Sequence, residues 1–270
     1  LATWRTAVLV ATHATALTAI LTLGTLAWRE DRLLRALWAE ATQGARHDVD
    51  RIVAARSAIY RAISTSPVRA WDLEAAARLP LLRSASAHLL DANSCASFAF
   101  ALAATLRTAQ VPARICQMQM GRKPAKHMLV EAWVDGGWRC LDPAFDVSWV
   151  RPDGSLASCE DVASDWPAYS QQPAPNTQPL TYPSSYDRIR YVPGGIRHTN
   201  WQAIPVLLPA LRSVLAWWGG EAWADGLSLR VLVLNQYRVA AGVGVALEAV
   251  VLGAWWRARR RARQRSAPSP

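Results

Sequence analysis

Cys95, His127 and Asp142 are the residues of this 270-residue chain whose types and order suit covalent chemistry. A thiolate attacks a carbonyl carbon, an imidazole carries the proton between attacking and leaving groups, and a carboxylate fixes the imidazole's tautomer. Such a trio performs acyl transfer at an amide, provided the chain brings the three side chains together.

The surrounding elements are those that would do so. Asn93-Ser94 supplies capping side chains just before Cys95, and Phe98, Ala101, Leu102 and Leu106 recur at helical spacing until Val111-Pro112 forbids continuation. Cys95 therefore opens a helix. There the unpaired N–H groups and the positive end of the dipole favour thiolate over thiol and suit a developing oxyanion. Beyond Pro112 the period becomes alternating, which predicts three short strands over 113–118, 127–134 and 138–141, with Asp135-Gly136-Gly137 as a hairpin turn. His127 begins the middle strand and Asp142 closes the next, so antiparallel pairing makes them neighbours.

With its helix-opening cysteine, its LRTAQVPAR segment and a histidine-led strand running into EAWVDGGWRCLDP, the stretch resembles the transglutaminase-like branch of the papain-like cysteine protease superfamily. The resemblance covers about residues 76 to 146. It implies an α+β fold in which the cysteine helix packs on an antiparallel sheet, with Cys95, His127 and Asp142 as the triad and Pro143 following the aspartate. One position departs from the family pattern: Asn93 stands where a glycine is usual two residues before the cysteine. Asparagine tolerates the left-handed region better than most residues.

Half the composition is hydrophobic, at 51%. Of the net charge of +10, six units belong to Arg257, Arg259, Arg260, Arg261, Arg263 and Arg265. Charge gathered at one end, with no aromatic readers on a basic face, argues against a nucleic-acid partner and for a tail beside a membrane. Cys95, Cys116, Cys140 and Cys159 form neither a CxxC pair nor a zinc spacing, so neither a metal nor a cofactor is expected. Cys116 and Cys140 fall on strands flanking the histidine strand, awkward for a direct bond, and read as small buried hydrophobes. His47 and His88 fall at no triad position and read as surface or helix-packing residues.

The remaining apolar length lies at the ends. Residues 6–28 are uncharged and bracketed by Arg5 and Arg29, which predicts an uncleaved transmembrane helix interrupted by His13. Residues 29–75 read as a helical linker packing on the core, with a break near Gly44, and residues 76–165 as the catalytic core. Residues 166–200 read as a Pro- and Tyr-rich loop whose Trp166 and tyrosines either line a groove or lie against the core. Residues 201–218 read as an interfacial or packing helix, because Arg212 at midspan disfavours crossing. A second transmembrane helix is expected over 239–256, followed by the basic tail 257–270. Within it Glu248 is expected to pair with Arg238 or a neighbouring helix, to be protonated, or to mark an intramembrane site. Gly242 and Gly244 permit close approach to the first span.

The expected protein is thus a membrane-anchored cysteine acyl-transfer enzyme acting on a protein, peptide or amide-bearing envelope substrate, of peptidase, amidase or transglutaminase type. Membrane lipid is a second expected partner, as is a membrane helix near Glu248. With two crossings and the arginine tail cytoplasmic, the expected location is the inner membrane with the domain facing the periplasm; Arg29, Arg32 and Arg35 after the first span oppose this, and a third crossing over 201–218 would place domain and tail on opposite sides. The alternative is a catalytically silent binding or assembly module of a bacterial envelope or polysaccharide pathway.

Overall fold

A computed structural model describes residues 2–65, 84–89, 95–120, 123–172, 207–226 and 234–265. The Asn93-Ser94 capping pair, most of the 166–200 segment and residues 201–206 lie outside these. The chain divides into two compact units, residues 1–29 with 236–270, and residues 30–235.

The larger unit is built on a four-stranded antiparallel sheet in the order β1-β2-β3-β4: Ala113–Met120, Lys123–Val134, Gly137–Asp142 and Val147–Ser148. The strands exceed their expected lengths, and β4 is too short to leave a periodic signal. Asp135 and Gly136 both have positive φ, at 49° and 70°, and Val134 pairs with Gly137. The turn is therefore the two-residue type whose twist matches the strands.

Alternation along β2 sorts side chains onto two faces. Val130 and Ala132 join Ile115 and Leu141 on one face, in a core with α2 (Asp48–Ser64), α3 (Ala85–Leu89) and α4 (Cys95–Thr108). Leu129 joins Cys116 and Cys140 on the other, packed against Trp149, Ala157 and Val162. The sheet is thus covered on both sides. The fold is the expected α+β arrangement, helix on antiparallel sheet.

Every residue of α4 from Ser97 to Leu106 is buried except Phe100. Its alanines at 99, 101, 103 and 104 explain how: alanine costs least in a helix and lets flanking elements approach closely. The helix stops where Gln110 turns to φ 65° and Val111 N–H bonds the Leu106 carbonyl at 2.9 Å, a glycine-type terminus made with glutamine.

On the second face, α5 (Cys159–Ser164) opens with a capping box between Ser158 and Asp161, and α6 is Trp166–Tyr169. The segment expected to be loop from residue 166 therefore begins as a helical turn. Trp166 lies edge-on to Trp149 with centroids 6.2 Å apart, so of the two roles considered for it, packing against the core is the one seen. The capping turn also sets Cys159 over β3, where it bonds Cys140 with Cα atoms 4.9 Å apart. This corrects the expectation of Cys140 as a simple buried hydrophobe. The pairing was not visible in the sequence because it depends on how the chain returns through residues 149–158. Reducing this bond is expected to lower stability by about 2–4 kcal/mol, read as a lower Tm with a phosphine reductant than without; an unchanged Tm contradicts it.

In the other unit, α1 (Ala2–Ala41) contributes residues up to Arg29 and α9 (Gln236–Arg265) contributes its whole length. Both are long and apolar enough to cross a membrane, over Ala7–Ala41 and Gln236–Arg261, each with hydropathy 1.7. Thr12, Thr15, Thr18, Thr22 and Thr25 each bond the carbonyl four residues back at 2.8–2.9 Å, which satisfies their hydroxyls inside an apolar segment. Glu248 pairs with His13, Nδ1 to Oε2 at 2.6 Å, so its neighbouring-helix partner is α1. A Cβ at Gly244 would sit 2.8 Å from Ile20 Cγ1, whereas one at Gly242 would meet nothing within 4 Å. Of the two, Gly244 is the glycine used for close approach. The arginine tail continues α9 as helix to Arg265, with Arg259 over the Trp255 ring at 4.2 Å and Arg260 over Trp256 at 3.7 Å.

Candidate active site

Three elements meet at Cys95. The helix α4 begins with it, β2 supplies His127 and the end of β3 supplies Asp142. In the β2/β3 register Val130 faces Leu141 and Glu131 faces Cys140. Continuing it puts Asp142 opposite Leu129, two residues from His127 and on the same face. The contact is a diagonal one across the ladder, within reach of long side chains.

His127 Nε2 meets Asp142 Oδ2 at 2.8 Å. The other Asp142 oxygen accepts the Ala144 and Phe145 N–H groups at 3.0 and 3.3 Å, so the carboxylate is held by its own turn and cannot rotate away. Phe145 then lies against the imidazole, centroids 5.2 Å apart. Cys95 hydrogen-bonds the same imidazole and the Met128 backbone. With Nε2 committed to Asp142, Nδ1 is the nitrogen left to the thiol.

Burial decides how the charges settle. Asp142 is fully buried and His127 is 8% exposed, while Cys95 is half-buried. Burial alone would push the imidazole's pKa down, but the Asp142 charge and hydrogen bond, helped by Cys95, push it up to about 10. Burial likewise resists ionisation of the Cys95 thiol, and the His127 hydrogen bond and charge with the Met128 bond override it, so the thiol pKa falls below its usual value. Both shifts run in the direction of a thiolate beside an imidazolium.

This has a thermodynamic consequence of defined sign. The folded pKa of His127, about 10, stands above the ordinary 6.5. Its pairing therefore contributes stability that is complete below about pH 6.5 and is lost as pH rises through about 10. The gap in unfolding free energy between the native chain and His127→Gln is expected to narrow between pH 6 and pH 10 in urea titrations; a gap that stays constant refutes the assignment.

Beside the site lies an ion pair the sequence did not signal. Arg56 of α2 bonds Asp146 Oδ1 at 2.9 Å and Ser148 Oγ at 2.7 Å, and Ser57 donates to the same Asp146 oxygen at 2.6 Å. Arg56 is 2% and Asp146 5% exposed. Asp146 has φ 55° and closes the turn that Asp142 opens. Burial lowers the Arg56 pKa against the opposing pull of Asp146 and Asp142. A charged arginine at an apolar helix position was the available hint, since a buried arginine needs an acid opposite it.

His47 and His88 lie elsewhere. His47 occupies the N-cap position of α2 without a side-chain cap, and His88 bonds Ser97 Oγ at 3.2 Å and stacks on Phe100. The second sheet face carries a further polar cluster. Glu131, 1% exposed, accepts from Arg114 at 2.8 Å, the Cys116 thiol at 3.3 Å and the Cys159 N–H at 2.9 Å. Among the described residues, a Glu131 oxygen and the sulfurs of Cys116 and Cys159 lie within 4.8 Å of one another, a set of the kind that holds a metal ion. Here the Cys159 sulfur is bonded to Cys140 and so offers no thiolate, and Glu131 is already neutralised by Arg114.

A cysteine at the mouth of a buried helix, laid against a histidine and an aspartate on an antiparallel sheet, is the arrangement that the resemblance to transglutaminase-like domains implies. Residues 35–143 match the family model of the transglutaminase-like superfamily, so the match takes in α2 and Arg56 as well as the three site residues. No curated protein matches the chain. Among solved structures, a proposed cysteine protease from Cytophaga hutchinsonii is 19% identical with TM-score 0.34, over 47% of this chain and 40% of that one. A TGase is 16% identical with TM-score 0.33, over 43% of this chain and 31% of that one. The chain spans less than half the length of either.

Proposed function

We propose that this protein is a membrane-anchored cysteine acyl-transfer enzyme acting on an amide bond through Cys95, His127 and Asp142. The observation that supports it most is the double contact of His127, with Asp142 on Nε2 and the Cys95 thiol opposite. The thiolate attacks the amide carbonyl carbon; the C–S bond forms and the carbonyl pair moves onto oxygen, toward the N–H groups of the first turn of α4. His127 gives its Nδ1 proton to the amide nitrogen as the C–N bond breaks, and the amine departs. Water or a second amine then attacks the thioester, returning a proton to Nδ1 and regenerating the thiolate. Asp142 keeps the ring in the tautomer that both halves need.

The inner membrane, with the domain facing the periplasm, is the location that fits two apolar helices and an arginine tail. The Cys140–Cys159 bond adds an argument absent from the sequence, since disulfides persist in oxidising compartments.

The test is an acyl-enzyme trap. Purified protein is treated with an activated ester, and mass spectrometry locates the adduct. An adduct on Cys95, discharged by water or by added amine, is expected. An adduct spread over other nucleophiles, or none on Cys95 in folded protein, overturns the reading in favour of a silent binding or assembly module.

A further inference from the structure

The helix α7 (Leu207–Gly219) presents apolar surface to solvent in a way the acyl-transfer site does not use. Trp217 is 87% exposed, Trp218 81% and Val214 59%, and Ala210 is exposed on the same helix. At about 100° per residue, positions 210, 214, 217 and 218 fall on one stripe, within about 100° of arc, while Arg212 falls on the opposite side. Two adjacent tryptophans left this open are costly in water and are not typical of a soluble face.

The opposite side explains why the stripe cannot turn inward. Arg212 bonds Glu221 at 2.6 Å and Asp225 at 3.0 Å, both on α8 (Glu221–Asp225). The helix α8 is itself tied to the core: the Arg107 guanidinium lies 4.6 Å over the Trp223 ring, and Ala224 is buried. The ion pairs, themselves exposed, therefore tie the Arg212 side of α7 to α8 and leave its tryptophans on the far side. They also neutralise the one charge on the helix that would resist an apolar medium.

Chain connectivity selects the partner. Only the residues between Gly226 and Gln236 separate α8 from the start of α9, one of the two helices long and apolar enough to cross a membrane. A segment of that length reaches at most some 30–35 Å, so α7 is tethered close to the bilayer if α9 spans it. Tryptophan is the side chain most at home where headgroups meet acyl chains, its ring apolar and its N–H able to bond. We infer that the Ala210, Val214, Trp217 and Trp218 stripe of α7 docks into the lipid interface and acts as a second, in-plane membrane contact of the catalytic domain. This rests on the reading of α9 as a span.

The experiment uses the full chain in nanodiscs of phosphatidylcholine and phosphatidylglycerol, in a Cys95→Ala background. Spin labels are placed one at a time at Trp217→Cys, Trp218→Cys, Leu252→Cys in α9 and Asp153→Cys as a water reference, and their access to oxygen and to a nickel chelate is compared. Labels at 217 and 218 are expected to read as lipid-immersed, about 5–10 Å into the headgroup and acyl boundary. Labels there as open to nickel as the one at 153 place the stripe in water and overturn the inference, and labels shielded from both reagents place it against protein and do the same. A lipid signal at 252 without one at 217 and 218 leaves the span standing and removes only the interfacial helix. No lipid signal at any of the three overturns both.

Discussion

Cys95→Ala is expected to lower acyl transfer by on the order of 10⁴-fold or more, the cost of removing the group that forms the covalent bond. The same change should leave Tm nearly where it was, because Cys95 is only half-buried at the end of a helix and alanine is the best helix former available. Loss of activity together with a large fall in Tm would instead identify a structural cysteine. Alkylation separates the cases without knowledge of the substrate. Iodoacetamide should label Cys95 ahead of Cys116, which is 1% exposed and donates a hydrogen bond to Glu131. Because the imidazolium holds the Cys95 thiol below its usual pKa, this labelling should persist at pH values where an ordinary thiol is protonated and slow. Equal labelling of the two reduced cysteines, or a rate that falls below neutral pH as an ordinary thiol's does, would remove the thiolate from the proposal.

The second large effect is expected at a residue that neither attacks nor carries a proton. Arg56→Met removes one partner of an ion pair that is almost fully shielded from water, leaving the Asp146 charge buried and uncompensated, at a cost of about 3–5 kcal/mol. The loss is read from urea unfolding. The double variant Arg56→Met with Asp146→Asn should recover a good part of it, since no charge is then stranded and asparagine tolerates the φ of 55° at this position, although Ser148 loses its partner. If the two changes simply add, the pair is not coupled and the assignment fails. Activity should fall as well in the single variant. The turn that Asp146 closes is the one whose amides hold Asp142, and a carboxylate freed from that turn no longer fixes the imidazole. A loss of turnover with little change in reactivity of Cys95 toward iodoacetamide would show that Arg56 positions the turn and not the thiolate pair.

How far the site was legible follows from what each signal depends on. The cysteine helix was readable because its apolar spacing and the proline after it are local. The hairpin was readable because Asp-Gly dictates a two-residue turn, and a two-residue turn fixes the register of everything beyond it. That register is why the sequence alone makes His127 and Asp142 neighbours. By contrast, the pairing of Cys140 with Cys159 depends on a return through β4 and a capped turn. The partner of Glu248 depends on which residue of another helix lies at the same depth.

Local order along the chain, then, determined the elements and which residues are candidates for chemistry: a thiol opening a helix, an imidazole and a carboxylate at hairpin ends, and apolar runs at both ends of the sequence. Only tertiary structure decided the charge states and the second layer of support. Whether a thiol is ionised depends on what is buried beside it, and whether Arg56 meets Asp146 depends on how α2 lies against a turn some ninety residues away. Local patterns are set by steric periods that neighbouring residues share, whereas burial and long-range charge pairing exist only once distant segments have closed around the same space.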